Sequence, residues 1–159
     1  GAALAPLAHK PPPHLRSLAL IDIPDVPLDA ILRGCNLRVL LLRGPFAASS
    51  VEAIGRSRDL EVLKLALEPM LSQEPFLRLF AACSRLKVID IYGATDVTDR
   101  ILECLMRRVP KLEDFCGCHR GSHMSYTHAL SPGTIDAFMT HFAGARRLFI
   151  DNMLLDSVL

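Results

Sequence analysis

The sequence predicts an α/β solenoid, a right-handed β-α superhelix of about five to six stacked repeats with a parallel sheet on its concave face. Two observations predict it. One apolar template, Leu-x-x-Leu-x-Leu, restarts along most of the chain, and helix-forming stretches lie between its copies. The composition agrees: Leu, Ile, Val and Ala dominate, Trp is absent, and such residues suit stacked layers better than a core seamed by aromatics.

The template reads Leu15-x-x-Leu18-x-Leu20, Leu37-x-x-Leu40-x-Leu42, Leu60-x-x-Leu63-x-Leu65 and Leu86-x-x-Ile89-x-Ile91. It returns more weakly as Leu112-x-x-Phe115, and a sixth copy, Ala145-x-x-Leu148-x-Ile150, begins with Ala. First positions are separated by 22, 23, 26, 26 and 33 residues. All but the last lie within the period of roughly 20–29 residues typical of leucine-rich repeats. A lone strand or helix could not bury its apolar face, whereas the stack can, and strand–helix–strand order within one sheet favours parallel, right-handed connections. A doubly wound α/β domain would alternate similarly, but nothing in it requires one leucine template to restart.

The whole chain, 1–159, reads as a single domain. Residues 1–13 resemble a partial N-terminal repeat or cap, 14–118 hold the regular repeats, 119–131 form a loop, and 132–159 supply a C-terminal helix and strand. Pro27–Cys35 predicts a short helix with Leu28, Ile31 and Leu32 inward and Pro27 in its first turn. Ser49-x-x-Glu52 predicts a capping box for a helix reaching about Arg58. Ser72 is expected to cap the next helix, with Phe76, Leu77, Phe80 and Ala81 on its buried side. Thr98 is expected to cap a helix with Ile101, Leu102, Leu105 and Met106 in one stripe. Ser131-Pro132 then starts a helix buried through Ile135, Phe138, Met139 and Phe142. Both termini fall within repeats, which leads us to expect a fragment, a designed chain or a small protein completed by a partner.

Charge and cysteine usage narrow the function classes. A formal net charge of +1 gives no electrostatic reason to expect nucleic acid or an anionic membrane as partner. No apolar run approaches the roughly 18 residues of a membrane span. Five cysteines, an odd number in mostly apolar surroundings, predict a reducing intracellular compartment, cytoplasmic or nuclear, with thiols serving as small core residues.

Cys83-Ser-Arg-Leu86-Lys-Val-Ile89-Asp-Ile91, followed by Val97-Thr98-Asp99, resembles the cysteine-containing leucine-rich repeat typical of F-box/leucine-rich-repeat proteins. That subtype has a Cys three residues before the first Leu and an Ile-Thr-Asp triplet opening its helix. Cys83 and Val97-Thr98-Asp99 stand in those places. Eight residues after the first Leu, the family places Asn or Cys to bond the turn; this chain has Ile23, Pro45, Glu68, Ala94, Arg120 and Met153, so irregular turns are expected. The resemblance covers about residues 14 to 118. It implies a substrate-recognition region of a ubiquitin-ligase receptor, with any ligase adaptor bound through a region absent from this chain. Pro24–Leu32 echoes the start of an F-box, but a strand template follows at once.

Candidate chemistry is sparse. Cys116, Cys118, His119, His123 and His128 are Zn²⁺-ligand types, though Cys-x-Cys is a tight bite; the alternative is strand cysteines beside loop histidines. Arg120-Gly-Ser-His-Met124 matches a residue run left by common expression vectors, and it reads either as such a remnant or as a natural loop. No nucleophile motif and no Gly-rich phosphate loop is found, so no enzyme, catalytic residue, metal or cofactor is expected.

The sheet face remains. Template leucines point inward, so the residues between and beside them point outward. The expected contacts for a protein partner are Ala19, Leu41, Val62, Lys64, Asp90, Tyr92, Cys116 and Phe149. This face is apolar over the first three repeats, as protein-contact surfaces often are. Two alternatives stay open: a structural subunit packed permanently in a larger assembly, and a zinc-stabilised binding module.

Overall fold

The computed structural model describes residues 6, 9–23, 26–118 and 130–151, with the backbone alone for 118 and 151. Strand and helix alternate throughout: β1 (Ser17–Ile21), α1 (Leu28–Arg33), β2 (Val39–Gly44), α2 (Ala48–Ile54), β3 (Val62–Leu67), α3 (Glu74–Ala82), β4 (Val88–Asp90), α4 (Asp99–Arg108), β5 (Asp114–Cys118), α5 (Pro132–His141) and β6 (Arg147–Asp151). The six strands form one parallel sheet in the order β1-β2-β3-β4-β5-β6. Each helix lies between two neighbouring strands in sequence, and consecutive helices pack on one another. The result is a solenoid-like α/β stack.

One face of the sheet is buried because every strand alternates. Leu18 and Leu20, Leu40 and Leu42, Leu63 and Leu65, Ile89, Phe115 and Ile150 all point into the core. The helices complete it with Leu28 and Ile31, Val51 and Ile54, Phe76 and Phe80, Ile101 and Leu105, and Phe138. Phe115 meets Phe138 edge-on at 5.5 Å between ring centroids, and Phe138 meets Phe142 at 5.0 Å, so the last layer packs through three rings, while Phe76 and Phe80 form a second aromatic pair on α3.

Helix starts follow the sequence in three places and depart from it in two. Thr98 accepts from Ile101 N–H at 3.4 Å and Ser131 from Thr134 N–H at 3.3 Å, as expected of N-caps. Leu28, Ile31 and Leu32 are buried on α1, with Pro27 at its N-cap. The Ser49–Glu52 capping box does not form. Helix α2 begins at Ala48 with Ala47 as N-cap, so Ser49 is already inside the first turn, and Glu52 instead accepts from Arg78 of α3 at 2.6 Å. Ser72 is likewise not the cap of α3; Gln73 is, and its Oε1 accepts from the Thr98 hydroxyl at 2.6 Å. On α3 the buried stripe is Phe76, Leu79 and Phe80, while Ala81 is exposed and Leu77 half-buried, as the 3.6-residue period from Phe76 requires. Met139 on α5 also faces outward.

Among the described residues the turns after the strands share no common form, as the missing Asn or Cys at that position predicts. Asp22 has φ 52°, Gly44 φ 122° and Gly93 φ 63°, and a cis peptide joins Glu68 to Pro69. A Cβ on Gly44 would sit 3.3 Å from the Asp22 backbone, so glycine there answers both a left-handed φ and a close approach.

Among the described residues no helix is long and apolar enough to cross a membrane.

Candidate functional site: the open face of the sheet

With the helices on one side, the second face of the sheet carries the outward residue of every strand. Register aligns them into rows. Ala19 pairs with Leu41, Leu41 with Lys64, Lys64 with Asp90, Asp90 with Cys116, and Cys116 with Phe149. Six of the eight residues expected to contact a partner therefore form one continuous row crossing all six strands. Val62 lies in the adjoining row, between Val39 and Val88, and Tyr92 follows the end of β4. None of the eight is buried, and Tyr92 and Phe149 stand well exposed, at 44% and 49%.

The rows are apolar at one side and charged at the other. Val39, Leu41, Val62 and Ala66 are half-buried against one another on β2 and β3. Further on, Arg147 Nε donates to Asp114 Oδ1 at 2.9 Å, and that bond raises the Arg147 pKa and holds its charge. Asp90 Oδ1 accepts from the Tyr92 backbone N–H at 3.2 Å, closing the turn where β4 stops. Arg43 lies 3.9 Å from Asp22. Lys64 is exposed, and among the described residues no carboxylate pairs with it.

A further row escaped the outward-facing template. The residue after each first template position is charged in every copy: Arg16, Arg38, Glu61, Lys87, Glu113 and Arg146. Backbone bonds of 2.7–2.9 Å run along it, from Arg38 N to Arg16 O and onward to Arg146 N and Glu113 O. Lys87 Nζ donates to Glu61 Oε2 at 2.9 Å, Arg146 to Glu113 at 2.9 Å, and Arg38 lies 4.0 Å from Glu61. The six-fold recurrence of charge at one template position was the available signal. Helices are tied in the same way: Arg56 to Asp29, Arg78 to Glu52 and Arg100 to Glu74, each joining consecutive layers.

Three of the cysteines serve packing. Cys83 is buried, and its thiol donates toward the carbonyls of Ile54 and Ser57 in the preceding layer, at 3.8 and 3.6 Å. Burial pushes its pKa up to about 11. Cys35 and Cys104 are likewise raised by burial and bond to Ile31 O and Leu77 O. These three thiols are poor nucleophiles at neutral pH.

Cys116 lies half-buried in the central row. The Cys118 side chain, His119, His123, His128 and the Arg120–Met124 run lie outside the described residues, as do Pro24 and most of residues 1–8. Gly117 stands where the other copies have their last Leu or Ile, and the space is already filled. A Cβ there would lie 2.6 Å from Val97 Cγ2 and 2.8 Å from Phe115 Cζ.

No protein-family model matches the chain, and no curated protein matches it closely enough to count as a relative.

Proposed function

We propose that the chain is a protein-binding module of the leucine-rich-repeat type, and that the open face of its sheet receives the partner. The observation that supports this reading is the row Ala19–Leu41–Lys64–Asp90–Cys116–Phe149, one outward side chain from each strand. A parallel sheet ordinarily has both faces covered. Here the helices cover one, and the apolar Leu41–Val62 region of the other gains free energy when a partner removes it from water. Rigid strands set the spacing of the side chains, so recognition needs little ordering on this side of the interface. By resemblance to the cysteine-containing repeat, the partner is the substrate of an F-box-type ubiquitin ligase, with the adaptor contact made elsewhere.

Site-specific photocrosslinking in cells tests the reading. A photoreactive amino acid at position 41 should give discrete protein adducts, and Tyr92→Ala should abolish them. The same group at position 78, on the outer side of α3, should give none. Adducts from position 78 alone would place the interface on the helices and overturn the assignment. Co-purification of a ligase adaptor with the protein from cells would support the ligase reading, and its absence would count against it.

A further inference from the structure

Lys64 occupies the centre of the open face, and among the described residues no carboxylate forms an ion pair with it. Its register neighbours are Leu41 on one side and Asp90 on the other, and along β3 it is flanked by Val62 and Ala66. Asp90 is the nearest carboxylate by register; its Oδ1 accepts from the Tyr92 N–H, and it forms no ion pair with Lys64 among the described residues. The nearby Asp114 is held by Arg147.

A partner seated on Leu41 and Val62 lies against Lys64, the register neighbour of one and two residues along the strand from the other, and brings its own surface to the ammonium. Removing an ammonium from water without an anion beside it is costly, and an apolar partner surface would carry that cost unrelieved. A carboxylate delivered at that point turns the cost into a charge-assisted bond within an apolar surround. From this charge complementarity we infer that the partner is a protein segment presenting an Asp or Glu to Lys64, beside an aliphatic side chain seated on Leu41 and Val62. The inference rests on the open face being the binding surface, as proposed above.

Selection of phage-displayed random short peptides on the immobilised full chain tests it. Peptides that bind wild type but not the Leu41→Asp variant are those using this face. They should be enriched in an acidic residue next to Leu, Ile or Val. Lys64→Gln should weaken their binding by at least about thirtyfold, the loss expected when one member of a covered charge pair is truncated. Selection on Lys64→Glu should instead enrich Lys or Arg. Because Lys64 is exposed, these variants keep their fold, which circular dichroism verifies.

Two results would sink the acidic-partner inference while leaving the face in place. One is face-dependent peptides without acidic enrichment or with unchanged affinity for Lys64→Gln. The other is acidic enrichment that arises only on an Asp90→Asn variant, which would show that Asp90 already supplies the counter-charge. If no peptide binds, or if binding ignores both Leu41→Asp and Lys64→Glu, the binding-face reading fails and this inference with it.

Discussion

Lys87 on the strand-entry side of β4 donates to Glu61 beside β3 at 2.9 Å, joining two consecutive layers through side chains that also share a backbone bond, Lys87 N to Glu61 O at 2.8 Å. The Glu61 carboxyl is held below its ordinary value, first by that hydrogen bond and then by the Lys87 charge. Arg38 and Arg85 add to the same effect.

A depressed folded-state pKa has a definite sign. The stabilisation is present above the unfolded carboxyl pKa of about 4.3 and is lost as pH falls through the lower folded value. Glu61→Gln should therefore be less stable than wild type at pH 7, with the gap closing in acid. Urea melts at a series of pH values measure it. A gap independent of pH would exclude the ion pair as its source.

Gly117 breaks the leucine template, and restoring Leu there should harm the protein. Val97 and the Phe115 ring occupy the space a side chain would need. We expect Gly117→Leu to cost about 1–3 kcal/mol through overpacking. Equilibrium denaturation reads the value, and a more stable variant would refute the filled-space account.

Thr95 is fully buried, and among the described residues its hydroxyl has no hydrogen-bond partner. Thr95→Val keeps the shape and removes the orphaned group, so stability should rise by about 1 kcal/mol. A loss of stability in the same melts would mean that the hydroxyl is bonded in solution.

Cys83 should stay unlabelled by thiol reagents at pH 8 until denaturant opens the fold, because it is buried and its pKa is about 11. Mass spectrometry of labelled peptides tests this. Fast native-state labelling would contradict its place in the core.

Leu41→Asp combined with Tyr92→Ala should leave the circular dichroism spectrum intact and abolish partner capture. Both side chains stand on the open face rather than among the core residues. Unaltered capture, or a collapsed spectrum, would defeat the binding assignment.

Much of the fold was legible because its signal is periodic. Apart from the half-buried Leu15, the first four template copies carry their apolar positions into the core, and the position between the last two leucines became the central row Ala19 to Phe149. Local chemistry was less reliable. Ser49-x-x-Glu52 has the form of a capping box, but a capping box is one use of Glu52 among several, and Arg78 of the next layer takes it. At the start of α3 the N-cap is Gln73 rather than Ser72, and the Gln73 side chain bonds to Thr98 of the next layer instead of to its own helix.

The sequence by itself determined the alternation of strand and helix, the inward and outward residues of the strands, and a count of about five to six layers, since all three follow from spacing along one chain; the structure made that count six. Only the tertiary structure decided which outward charges are satisfied. Asp90 bonds to Tyr92 N–H, Asp114 to Arg147, and Lys64 to none of them, although all lie on neighbouring strands. Periodicity places a side chain on a face; whether its charge is neutralised depends on atoms brought within a few ångströms from other layers, and that distance is not written in the spacing.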